Sequence, residues 1–163
     1  VRLGERRLET LLDEFGADVV AAAVEIILDA AEKQARDVIA AWKDGTYHGV
    51  ALLDDDGRGN QDIAIRAKVT KQGNGLEVDL SGSDDEVTSF VNSSYANMQS
   101  AVAMALAFLF DPETPKNDGS LRPVKVIARE GSIVWAKPGA PVTLSTSHCA
   151  QEIIEATIRA RSI

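Results

Sequence analysis

The chain has 163 residues, 45% of them apolar and 26% charged, enough for one domain with a sizeable core and unlike a disordered polymer. Its net charge of −8, with basic residues dispersed, argues against a nucleic-acid surface or an anionic membrane as partner. A lone cysteine, Cys149, excludes an internal disulfide and a Cys-based metal site. The opening residues do not read as a signal peptide, and a reducing, cytoplasmic setting is expected. The charged helical patterns at Val1 and Ile163 suggest a piece of a longer polypeptide.

In chain order, Leu8, Leu11, Leu12 and Phe15 predict a first helix that Gly16 ends or kinks. A second helix, capped by Asp18, is predicted to run to about Trp42. Val19, Val20, Ala23, Ile26, Ile27, Ala30, Val38, Ile39 and Trp42 would form its broad, core-packing face. Its apolar stretch, 19–31, contains Glu25 and Asp29 and is shorter than the roughly 20 apolar residues of a membrane span. After a turn at Asp44-Gly45, strands are predicted over 48–53, 63–70 and 76–80. Turns at 54–60 and 71–75 make them an antiparallel meander.

The sequence from about Met98 to Phe110 is almost continuously apolar, which predicts a helix buried on every side. The polar run Asn92-Ser93-Ser94-Tyr95-Ala96-Asn97 precedes it. A rigid segment follows, Asp111-Pro112-Glu113-Thr114-Pro115-Lys116-Asn117-Asp118-Gly119-Ser120-Leu121-Arg122-Pro123. Its prolines fix φ and its Asn-Asp-Gly supplies a turn. Strands are expected at 124–128 and 133–135, with an extended segment at 142–144. A last helix would be capped by Ser145-Thr146-Ser147, with Glu152 as capping-box partner. The expected fold is α+β: one domain over 1–163, an antiparallel sheet packed against long helices, with one buried apolar helix.

Several chemical readings fail on spacing. The Asp54-Asp55-Asp56-Gly57 turn places Ile65 where a calcium loop needs its twelfth-position Glu. Gly57-Arg58-Gly59 and Gly73-Asn74-Gly75 lack a phosphate-loop pattern. His148 and Glu152 supply two ligands at most, too few for a metal. Ser147-His148-Cys149 has no third group to orient a base. The better candidates for substrate binding are Asn92, Asn97, Arg122 and His148, because amides and a guanidinium recognise carbonyl, carboxylate or phosphate groups. Capping the buried helix and tying down the proline loop is an equal alternative for the amides and Arg122, and a hydrogen-bonding role in the cap region is the alternative for His148.

Read together, these segments resemble the hydantoinase B family. The 111–123 loop with Val126-Ile127-Ala128 and Glu130-Gly131-Ser132 carries the resemblance. Asp44-Gly45-Thr46-Tyr47, Asp54-Asp55-Asp56-Gly57, Val78-Asp79-Leu80-Ser81-Gly82-Ser83, Asn92 and Asn97 match in the same order. Departures fall at Lys43, where proline is common, and at 144–151, where the family's glycines are absent. The family includes B subunits of ATP-dependent N-methylhydantoinases, half of 5-oxoprolinase, and subunits of acetone and acetophenone carboxylases. The resemblance implies the central part of a catalytic B-type subunit in a hetero-oligomer. It would work beside an ATP-binding A-type subunit on a small cyclic amide, with ATP on that partner and a divalent metal. The alternatives are a carboxylase subunit or a non-catalytic structural or assembly module.

Overall fold

The computed structural model describes residues 1–142 and 149–160. Helices α1 (Arg2–Phe15) and α2 (Ala17–Ala40) meet at Gly16, whose φ of +82° suits a residue without a Cβ. Gly16 is the N-cap of α2, so Asp18 does not cap that helix; it stands in the first turn, where an acidic side chain favours the helix dipole.

The expected core-packing face of α2 holds only for its C-terminal half. Ala31, Ala35 and Ile39 are buried, whereas Val19, Val24, Ile26 and Ile27 are exposed. Helix α1 buries none of its residues, and Leu3, Leu8, Leu11 and Phe15 point outward. An amphipathic pattern identifies which side of a helix needs cover, but not what covers it.

Strands β1 (Gly45–Asp55), β2 (Gln61–Gln72) and β3 (Gly75–Asp79) form the antiparallel meander, with Gly49 opposite Ala67 and Val69 opposite Val78. From β3 the chain crosses through α3 (Tyr95–Leu109) and the short α4 (Asp118–Leu121) before entering β4 (Val124–Ile127). Parallel neighbours have to be joined by a crossover of this kind. Here β4 pairs with β3 in parallel, Leu76 opposite Val124, and the four-stranded sheet is mixed at that edge rather than wholly antiparallel.

Helix α5 (Ala150–Arg159) lies against α3, β1 and β2. The core between sheet and helices contains Ile39, Ile65, Val78, Leu80, Met98, Val102, Leu106, Ile133 and Ile153. Helix α3 buries Met98, Ala101, Val102, Ala105 and Leu106 but exposes Met104 and Phe108, so it is not buried on every side. The segment 133–135, expected as a strand, is a turn closed by a bridge between Ser132 and Trp135, with Ile133 and Val134 driven inward. Val142 makes isolated bridges to Val91 and Asn92. The proposed cap Ser145-Thr146-Ser147 lies outside the described residues; the N-cap of α5 is Cys149, without a side-chain cap bond.

Candidate functional site

The polar run before α3 is built from its hydrogen bonds. Ser94 caps the helix, its side chain accepting from the Asn97 backbone N–H at 3.2 Å. The Asn92 side chain is buried. Its Oδ1 accepts from the Val87 N–H at 2.8 Å, and its Nδ2 donates to the carbonyls of Val87, Ser89 and Pro141 at 2.8, 3.0 and 2.9 Å. The Asn97 Nδ2 donates to Ser93 Oγ at 2.8 Å. The backbone of Ser93 in turn pairs with Ile133 and Ala136. Asn92 and Asn97 thus stitch the 87–93 loop, the 132–136 turn and the chain at Pro141 into one network.

The proline-rich loop is also tied internally. Lys116 donates to the carbonyls of Asp111 and Thr114, and Asn117 caps α4 by accepting from the N–H groups of Gly119 and Ser120. Arg122 crosses from this loop to α2. Its guanidinium meets Asp29 at 2.7 Å, Glu25 at 3.0 Å and Glu32 at 3.4 Å. The hydrogen bonds it donates to Glu25 and Asp29 hold its proton more tightly than usual. A substrate anion at Arg122 would have to compete with three carboxylates.

Arg122 shares no hydrogen bond with the Asn92–Asn97 network, and His148 lies outside the described residues. Cys149 is buried, its Sγ–H directed at the Ile133 carbonyl, and burial followed by the nearby Glu152 pushes its thiol pKa far up. Such a thiol is not a nucleophile. The Asp54–Asn60 turn uses its own charge internally: the Asp56 carboxylate accepts from the backbone of Arg58 and Asn60 and from the Asn60 side chain. Among the described residues no three His, Cys, Asp or Glu side chains converge as metal ligands. A divalent metal therefore has no fitting donor set among the described residues. Among these residues, no helix is long and apolar enough to cross a membrane.

Two half-open cavities lie elsewhere. One, of about 440 Å³, sits between α3 and the proline-rich loop, beside Met104, Phe110, Lys116 and Asn117. The other, of about 420 Å³, is walled by Trp42, Tyr47, Val69, Lys71, Leu76 and Leu106. Neither is lined by Asn92, Asn97 or Arg122. Sequence reasoning missed the second cavity because it assigned Lys71 to a hairpin turn. A signal was available: Lys71 continues the series Ile63, Ile65, Ala67, Val69 on the inward face of β2.

Three comparisons locate this architecture among known proteins. The chain is 34% identical over 140 residues to the caprolactamase subunit beta of Pseudomonas jessenii, covering 85% of this chain and 24% of that one. It superimposes on the crystal structure of the ATP-dependent caprolactamase from Pseudomonas jessenii with a TM-score of 0.89, at 31% identity over 98% of this chain and 28% of that one. A nucleotide-free acetone carboxylase structure matches at a TM-score of 0.72 and 16% identity, covering 86% of this chain and 20% of that one, a likeness of fold. The chain thus spans about a quarter of the length of these relatives. A family model described as hydantoinase B/oxoprolinase matches residues 1–162, and the chain belongs to that family.

Proposed function

We propose that the chain is part of the catalytic B-type subunit of an ATP-dependent amidohydrolase that opens a cyclic amide such as a hydantoin, a lactam or 5-oxoproline. The observation that carries this reading is the double match to caprolactamase, in sequence along 85% of the chain and in fold along 98%. In this reading ATP belongs to an A-type partner subunit, and the divalent metal to residues outside this part of the polypeptide. The apolar stripe along α1 and the start of α2 is the kind of exposed surface that protein contacts use. The hydrogen-bond partners of Asn92, Asn97 and Arg122 support a positioning role: they hold the loops on either side of α3.

The test is ATP turnover by the intact protein with its A-type partner, across a panel of lactams, hydantoins and 5-oxoproline. At least one cyclic amide should stimulate ATP hydrolysis; no stimulation across the panel would overturn the hydrolase reading. Stimulation by a ketone that depends on bicarbonate would select the carboxylase branch instead.

A further inference from the structure

Lys71 places an ammonium-bearing side chain in the interior of the fold. Its side chain points to the inward face of β2 and is only 5% exposed. Burying an ammonium is costly unless its donors are used. Lys71 donates to Asp44 Oδ1 at 2.7 Å, its one partner among the described residues. Asp44 is itself 65% exposed and also accepts from the Gly73 N–H. An ammonium has three N–H donors. The other two have no partner among the described residues, and the Lys71 side chain lines the 420 Å³ cavity.

The rest of that wall is of a different kind. Trp42, Val69, Leu76, Leu106 and Leu109 give it an apolar part, beside the polar side chains of Lys43, Tyr47, Lys71 and Thr157. Tyr47 spends its hydroxyl on the Lys43 carbonyl at 3.0 Å and adds another aromatic side chain to the lining. Lys43 also lines the space, so two cationic side chains border it and Asp44, which pairs with one of them, is not part of the lining. The volume falls in the range of small-molecule sites, roughly 300 to 1,000 Å³.

We propose that this cavity binds a small organic monocarboxylate with an apolar body, the carboxylate accepting from the free N–H groups of Lys71 and the body lying against Trp42, Leu76 and Leu106. A carboxylate forms charge-assisted hydrogen bonds with an ammonium, stronger than those of a neutral amide. A phosphate, doubly charged and strongly hydrated, is poorly matched to one buried ammonium beside Trp42, Leu76 and Leu106. The proposal does not depend on the cyclic-amide reading.

The test is calorimetric titration of the intact protein with sodium hexanoate and with hexanamide, its neutral counterpart. Hexanoate should bind saturably at millimolar concentration or below, and hexanamide at least tenfold more weakly. Lys71→Met should weaken hexanoate at least tenfold. Ala41→Trp, at an exposed position on the cavity mouth, should block it without touching the buried pair. The proposal is overturned if hexanoate does not bind, if hexanamide binds equally well, or if hexanoate affinity survives Ala41→Trp. Should Lys71→Met not fold, as judged by its thermal transition, the amide comparison and Ala41→Trp decide.

Discussion

Two glycines fix how helices approach their neighbours. At Gly49 on β1, a Cβ would stand 1.9 Å from the Ala156 carbonyl oxygen and 2.6 Å from the Ala160 nitrogen of α5. At Gly119 in α4 it would stand 2.1 Å from the Leu28 carbonyl oxygen of α2. Both obstacles are backbone, so relief requires moving a helix. Gly49→Ala and Gly119→Ala are each expected to cost about 1 to 3 kcal/mol, as overpacked cores do, read as a lowered midpoint in urea unfolding. A change below a few tenths of a kcal/mol would contradict the packing described. Arg122 makes a different prediction. Its three ion pairs are partly exposed and screened by salt. Arg122→Met should lower the melting temperature at low ionic strength, and the deficit should shrink in high salt. In the assembled enzyme KM and kcat should stay close to wild type, whereas a substrate-binding Arg122 would raise KM or lower kcat with little dependence on thermal stability. The sequence marked Arg122 as a residue of consequence. It could not show that Glu25, Asp29 and Glu32, some 90 positions earlier, would converge on it.

At the scale of elements, the meander was legible because Ile65, Ala67 and Val69 alternate with Arg66 and Lys68 and glycine turns separate the strands. The parallel edge strand was not, because pairing across a crossover depends on where α3 sends the chain. Polar contacts continue the sheet beyond β3. The Ala64 N–H donates to Asp84 Oδ2 at 2.7 Å, the Arg66 N–H donates to Ser83 Oγ at 3.0 Å, and the Arg66 guanidinium pairs with Asp84. For Asp84, burial raises the pKa, but the bonds from Arg66 and the Ala64 N–H outweigh it and the net shift is downward. Asp79 behaves alike: burial is opposed by Lys68 and Ser81, with a net lowering. A carboxylate whose folded pKa lies below its unfolded value of about 3.9 contributes its full stability above that value. The contribution is lost as pH falls through the folded pKa. Unfolding free energy should therefore decline as pH drops below about 4, and Asp84→Asn should flatten that acid limb. An acid limb unchanged in Asp84→Asn would remove this pair from the account.

At the scale of the molecule, family membership was readable before any coordinates, because a rigid proline loop, an Asp-Gly turn and two asparagines recur in one order over nearly the whole chain. Convergence was less readable. Asn92 and Asn97 share a network, Arg122 belongs to another, and the cavity with the buried ammonium was hidden in what looked like a turn. The exposed stripe of Leu8, Leu11, Phe15, Ile26 and Ile27 has no counterpart among the described residues, and periodicity cannot name a partner. The proposed function is that a polypeptide containing this chain opens cyclic amides at the expense of ATP. Its most direct test follows the ring itself: incubate the intact protein and its A-type partner with ATP and caprolactam, hydantoin or 5-oxoproline, and weigh the product by mass spectrometry. For at least one of them the ring-opened acid, heavier than substrate by one water, should form only when ATP and both subunits are present. ATP consumption without any ring-opened product from the panel would contradict it.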